Sequence, residues 1–393
     1  MNKHIVSLLL KLKRIKDWLE NYAVFPFFFA VGSVFPVNKK LAVFAMNFHY
    51  DKLSDNMQCI YDKLSELGYD CRVIIDPKNR LKRLLINIKF MFLYARSAFV
   101  FMSDNYDPAY THKPRKGSRV VQLWHGCGAF KKWGYSAIKL AWGGEDNPYY
   151  HFPRHNTYTD VFVSAKEVVP CYAEAFNCSK DLIKPLGTPR TDIYFDKDFV
   201  SSCRNRLLKK YPEIGERKIL LYAPTFRGES PETGYNDFAL DLAALKENFS
   251  DEYALVMKLH PFVATKFSLT DKQKAQLGGF VFNASTEIPI EEALCAADVL
   301  IADYSSLIFE YALLDKPSLF FAYDLEKYTN ERGFYYEYTD FVPGKIVKTN
   351  EELTDALKNH DFCQEKTRPF REKFMSACDG HSTERIVNYL LKE

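Results

Sequence analysis

The stretch 298-DVLIADYSSLIFEYALLDKPSLFFAYD-324 sets one short apolar run, a helix-spaced segment and a second apolar run end to end. Two strands joined through a helix cannot close as a hairpin; they lie parallel in one sheet with the helix packed on its face. The same alternation extends toward the N-terminus. KILLYAP (218–224), YALVMKLHP (253–261) and FVFNA (280–284) read as strands, with 287-EIPIEEALCAA-297 as an intervening helix. A further set precedes them: KLAVFAM (40–46), DCRVIID (70–76), AFVFMSD (98–104), RVVQLWHG (119–126), DVFVSA (160–165) and the run ending at 183-IKPLG-187. Helices are expected near Ser54 to Leu67 and Leu81 to Ala95, and the polar segment 195–218 connects the two sets. The expected fold class is α/β, two doubly wound Rossmann-type domains facing a cleft.

A chain of 393 residues supports this division, because single cores rarely grow past roughly 250 to 300 residues. The expected parts are 1–39, an amphipathic and apolar segment; 40–194, an N-terminal domain; and 195–393, a C-terminal domain. A net charge of +3 is too small to argue for nucleic acid by itself, because duplex binders display a concentrated basic face, and no nucleic-acid partner is expected. Nine cysteines without a CxxC pair indicate reduced thiols and neither a disulfide framework nor a zinc site.

The N-terminal 22 residues place Ile5, Leu8, Leu9, Leu12, Ile15 and Leu19 at helical spacing among Lys11, Lys13, Arg14 and Lys16. That pattern suits a helix lying on a membrane surface. The apolar stretch that follows is broken by Pro26 and Pro36 and falls short of the ~20 residues of a spanning helix. Covering the protein's own core is the alternative use of this segment. No convincing cleavage site for a signal peptide follows it. The helix near residues 80–97, basic on one side, either extends the same surface or is a packed crossover helix.

In doubly wound sheets, ligands bind beyond the carboxyl ends of the strands. Those ends carry Trp124-His125-Gly126, then Pro224-Thr225-Phe226-Arg227, then Leu259-His260-Pro261, then Asp303-Tyr304-Ser305-Ser306. Imidazoles, a guanidinium, hydroxyls and a helix start suit a phosphorylated ligand. Ser305 or Ser306 is expected to cap the helix that follows, beside free backbone N–H groups. Arg227 and Lys258 add charge on the same edge, and Arg can grip two phosphate oxygens at once. No GxGxxG or P-loop pattern occurs. No metal site is expected, since no HxxxH, HxH or adjacent carboxylate cluster accompanies the histidines. Cys127, between two glycines, is expected to fill space and not to act as a nucleophile.

Taken in order, WHG with GAFKKWG, YAPTFR, KLHP and DYSSLIFEYALLDKPSLFFAYD resemble the CDP-glycerol glycerophosphotransferases of wall teichoic acid synthesis, the TagB and TagF type. The resemblance runs from about Leu41 to the C-terminus and includes 54-SDNMQCIYDKL-64 and 186-LGTPRTD-192. It implies a GT-B-like arrangement, peripheral attachment at the cytoplasmic face of the cell membrane, and a polyprenyl-diphosphate-linked saccharide as acceptor. Other cell-wall polymer enzymes are implied partners. The activity implied is transfer of glycerol phosphate from CDP-glycerol to an acceptor hydroxyl, with release of CMP. GAFKK after WHG, and the chain's length, look closer to the priming type than to the polymerases.

For such a reaction, CMP leaves as an anion and needs charge stabilisation, whereas the alcohol benefits from a base. His125 is then the expected base. His260 is the second catalytic histidine, and Thr225, Arg227, Lys258, Asp303, Ser305 and Ser306 are expected at the donor diphosphate. Gly126, Lys131 and Lys132 are expected on the acceptor side. No tightly bound cofactor is expected, and a need for a divalent cation is left undecided. A glycerol-phosphate or ribitol-phosphate polymerase, a glycosyltransferase using a nucleotide sugar, and a non-catalytic nucleotide-binding scaffold are the competing functions.

Overall fold

A computed structural model describes residues 12–140, 152–227, 239–264 and 269–392. The first sheet comprises β1 (Asn38–Met46), β2 (Asp70–Ile75), β3 (Ser97–Met102), β4 (Arg119–Gln122), β5 (Asp160–Phe162) and β6 (Ile183–Lys184), in the order β2-β1-β3-β4-β5-β6. The second comprises β7 (Lys218–Ala223), β8 (Tyr253–Met257), β9 (Val281–Asn283), β10 (Val299–Ala302), β11 (Ser318–Phe321) and β12 (Lys345–Val347), in the order β12-β11-β10-β7-β8-β9. All strand pairs are parallel. Central strands such as β3 and β8 are buried along their whole length, which is why they read as unbroken apolar runs. β12 was missed in the sequence because only three residues pair there.

Strand order locates the sites. In the first sheet the chain winds outward from β1 to β2 and then reverses through β3, so the reversal falls between β1 and β3. In the second it falls between β7 and β10. At such a reversal the flanking crossovers leave on opposite faces and a crevice opens beyond the strand ends. Ser103 and Asp104 follow β3, Thr225 and Arg227 follow β7, and Asp303 to Ser306 follow β10.

Helix 197–210 packs on helix 290–296, which makes it part of the second unit. The last helix, Ser382–Leu391, departs from the expected 195–393 domain. It packs against helix 55–66, and Ile386, Val387 and Leu390 join the core of Phe44, Met57 and Phe162 in the first unit. Gly187 admits this return: its φ is +101°, and a Cβ there would lie 2.2 Å from the Ser382 hydroxyl.

One side of the N-terminal segment covers the protein's own core, the second of the two expected uses. Residues 1–11, which include Ile5, Leu8, Leu9 and Lys11, lie outside the described residues. Helix Phe25–Ser33 buries Phe25, Phe29 and Gly32 against helix 80–94. Its opposite side exposes Phe27 and Val31, continuous in sequence with the exposed Leu12, Ile15, Trp18, Leu19 and Tyr22 before it and Val34 and Phe35 after it. Among the described residues, no helix is long and apolar enough to cross a membrane.

Candidate active site

β4 ends at Gln122, whose side chain turns back to accept the Trp124 backbone N–H at 2.8 Å. Trp124 then takes a left-handed conformation, φ +52°, which is costly for an aromatic residue and persists only where surrounding contacts enforce it. Those contacts are present. Asn56 donates to the Trp124 carbonyl at 2.9 Å, Arg190 to the His125 carbonyl at 2.8 Å, and Tyr172 to the carbonyls of Gly126 and Gly128. Gly128, φ +61°, meets the second domain directly: a Cβ there would sit 2.2 Å from the Phe309 ring.

This clamped loop presents His125. Its Nδ1 lies 3.3 Å from the Ser103 carbonyl oxygen. A carbonyl only accepts, so Nδ1 carries the proton and Nε2 keeps its lone pair. The residue is exposed, yet crowding by the surrounding protein lowers its pKa below the ordinary imidazole value. Asp104 opposes that shift, Arg190 adds to it, and the Ser103 carbonyl opposes it. The lowered pKa favours the neutral imidazole.

Beyond Gly128 the chain docks on the C-terminal domain. Phe130 stacks on Phe334 at 4.8 Å, Lys131 pairs antiparallel with Phe334, Lys132 N–H donates to Gly333, and Tyr335 N–H donates to Phe130. Lys131 Nζ lies 3.5 Å from the Tyr328 hydroxyl. Desolvation, reinforced by the Lys131 ammonium, lowers the pKa of His260 to about 4. Lys131, on the loop that follows β4, and His260, after β8, thus interact electrostatically across the two domains. His260 also packs on the Phe226 ring at 4.7 Å.

Ser305 and Ser306 divide the cap between them. Ser306 occupies the cap position of helix Leu307–Leu313 without closing the bond through its side chain, while the Ser305 hydroxyl accepts Leu307 N–H at 3.3 Å. Three other expected donor ligands are joined to one another. Asp303 Oδ1 accepts from Thr225 N–H, the Thr225 hydroxyl and Tyr304 N–H. Arg227 donates to Asp303 at 3.0 Å, to Asp324 through two nitrogens at 2.8 and 3.0 Å, and to the Thr225 carbonyl at 2.6 Å. Two carboxylates neutralise this buried guanidinium, so Arg227, Thr225 and Asp303 bind one another and tie together the ends of β7, β10 and β11. Lys258 also has protein partners. Its ammonium donates to the carbonyls of Ala284, Ser285 and Ile288, and burial lowers its pKa.

Arg190 and Glu310 were not singled out as site residues from the sequence. Arg190 Nη2 lies 2.9 Å from Glu310 Oε2, a buried carboxylate in helix Leu307–Leu313, and its backbone N–H donates to Asn56. The signal was present in 186-LGTPRTD-192 at the end of β6, where a Pro-Arg pair follows a glycine. Cys127 is buried, and burial raises its thiol pKa well above the usual value, which suits packing.

Two six-stranded parallel sheets, with histidines and a helix start at their carboxyl ends, define a GT-B-like α/β protein. Residues 27–392 match the family CDP-Glycerol:Poly(glycerophosphate) glycerophosphotransferase, and the chain belongs to that family. It is 35% identical over 375 residues to a teichoic acid poly(ribitol-phosphate) polymerase of Bacillus spizizenii, covering 94% of this chain and 59% of that protein. It is 34% identical over 369 residues to a teichoic acid ribitol-phosphate primase of the same organism, covering 92% of this chain and 93% of the relative. The chain thus spans about three-fifths of the length of the first relatives it matches. Its fold matches the structure of the wall teichoic acid polymerase TagF, with a TM-score of 0.76, 22% identity, and coverage of 99% of this chain and 98% of that one.

Proposed function

We propose that this chain transfers an alditol phosphate from a CDP-alditol to a hydroxyl of a polyprenyl-diphosphate-linked saccharide, releasing CMP. The observation that carries this is the contact of His125 Nδ1 with the Ser103 carbonyl, which leaves Nε2 as the basic nitrogen, on a loop that also carries Lys131 onto the second domain. His125 Nε2 takes the proton of the acceptor hydroxyl as its oxygen bonds to the β-phosphorus. The bond from that phosphorus to the bridging oxygen breaks, and CMP carries away the electron pair. The proton on His125 passes to water. Lys131, the hydroxyls of Ser305 and Ser306, and the neutral His260 ring stabilise the phosphates. Lys132 and the open backbone at Gly126 serve the acceptor. Arg227, Thr225 and Asp303 hold the donor loop in shape and do not touch phosphate.

CDP-glycerol is the donor named in the family's description, and CDP-ribitol is the second reading, supported by the ribitol-phosphate relatives at 34–35% identity. The priming step is proposed as the role, and the cytoplasmic face of the membrane as the place, held by the exposed apolar side chains of residues 12–35. Incubation with each CDP-alditol and a lipid-linked disaccharide analogue, followed by mass spectrometry, tests the assignment. Mass gain by one alditol phosphate with stoichiometric CMP is expected. Gain by many units overturns priming, and no CMP from either donor overturns the reaction.

A further inference from the structure

Helix Leu307–Leu313 begins beside the donor serines in the second domain, yet its inward side bears on the first domain's WHG loop. Phe309 fills the space that a side chain at residue 128 would occupy, and the next residue, Glu310, reaches Arg190. Arg190 hydrogen-bonds the main-chain carbonyl of His125 at 2.8 Å. Tyr194 donates to the second Glu310 oxygen at 3.4 Å. Both charges are withdrawn from solvent, with 22% side-chain exposure for Arg190 and 5% for Glu310. A buried carboxylate with these partners has one geometry open to it, and the guanidinium transmits that geometry to residue 125.

We propose that Glu310 is a positioning residue of the transfer reaction, holding Arg190 across the domain interface so that Arg190 fixes the main chain of His125 relative to the donor serines. This deepens the phosphotransfer reading and rests on it. The same link has an electrostatic consequence. The charged and titratable groups acting on His125 are Asp104, at the end of β3, and Arg190; Glu310, Cys127, Tyr194 and Asp55 in turn act on Arg190, and Tyr50 donates to Asp104. With Glu310 charged, the pair is neutral as His125 meets it. With that carboxylate removed, an uncompensated guanidinium faces the imidazole and favours its neutral form.

The test uses Glu310→Gln and Glu310→Asp in the full chain. Single-turnover rates, donor affinity by calorimetry, and the ring titration of His125 by NMR, assigned with His125→Gln, are read on each. A rate loss of roughly 10- to 100-fold is expected for Glu310→Gln, the scale of a misplacement by about 1 Å, with donor affinity within about threefold. The His125 titration and the acid limb of the rate profile should both move to lower pH. A merely structural residue would lower the folded fraction and leave the titration in place. Should Glu310→Gln not fold, Glu310→Asp keeps the charge but draws the carboxylate back by one methylene, and a slowed, folded Asp variant supports the proposal. A parental rate in either folded variant overturns it, as does a Glu310→Gln rate loss with an unmoved His125 titration. A parent that releases no CMP from either CDP-alditol overturns the phosphotransfer reading instead, and the NMR shift is read without activity, so the two failures are distinct.

Discussion

The Ser103 carbonyl oxygen lies 3.3 Å from His125 Nδ1, and this contact between the ends of β3 and β4 decides which ring nitrogen is basic. Replacing His125 with Ala should lower kcat by roughly 10²- to 10⁴-fold, the usual contribution of a positioned proton acceptor, with donor affinity nearly unchanged. His260→Ala should reduce donor affinity as well as rate. The His125 pKa is lowered in the fold, so the base stays unprotonated below the ordinary imidazole pKa, and the acid limb of kcat/KM should fall at lower pH than 6.5. Donor titration and single-turnover rates across pH check both. A His125→Ala variant that turns over at the parent rate removes the base assignment.

How far the sequence alone leads depends on the range of the interaction. β3, β7, β8 and β10 were legible because a buried parallel strand needs an apolar side chain at nearly every position. The histidines stood out because His125 and His260 follow such runs directly. Partners joined over long separations were not legible. Arg190 and Glu310 are 120 residues apart, and Arg227 and Asp324 are 97 apart. Nothing local distinguishes a guanidinium that will meet a phosphate from one that will meet two carboxylates. Lys258 misled for the same reason: its three carbonyl partners come from the turn after β9 and the residues before helix 290–296.

Arg227 therefore yields a stability prediction in place of a direct phosphate contact. Its removal leaves the buried Asp303 and the half-buried Asp324 without their shared cation. Arg227→Met should cost about 3–5 kcal/mol, the scale for breaking a buried ion pair by deleting one partner. Donor binding should fall with it, because the Ser305 loop loses its anchor. Thermal unfolding followed by calorimetric donor titration is the measurement. A variant with parental melting temperature and selectively lost donor affinity would return Arg227 to the phosphates.

The exposed apolar side of residues 12–35 should act as a lipid contact. Trp18 and Phe27 are 58% and 62% exposed, and Leu85 of helix 80–94 is 59% exposed. Changing all three to Ser should reduce cosedimentation with anionic vesicles while turnover of a short-chain soluble acceptor stays at the parent level, since none of the three contributes to the transfer site. Undiminished vesicle binding would assign attachment to another surface.

His155 provides a separate test of the fold through pH. It is buried beneath the first sheet's loops, with Nδ1 2.7 Å from the Tyr158 hydroxyl and its ring 4.6 Å from Phe176, and burial lowers its pKa to about 3. The nearby Arg154 adds to that shift. In the unfolded chain the imidazole protonates near pH 6.5, while in the fold it stays neutral until about pH 3. As pH falls through that window the unfolded state binds the extra proton, so this group's contribution to stability is complete above 6.5 and declines below it. One such group costs about 1.4 kcal/mol per pH unit within the window. His112, His125 and His260 are shifted in the same direction and steepen the decline in the parent. His155→Phe should be less stable than the parent at pH 7.5, because the Tyr158 hydroxyl loses one of its partners and keeps Gln122 and Tyr110, but the gap should narrow by about 1.4 kcal/mol for each unit between pH 6.5 and 5. Urea unfolding of both proteins across that range measures it, and a gap independent of pH would mean that His155 takes up its proton in the folded state.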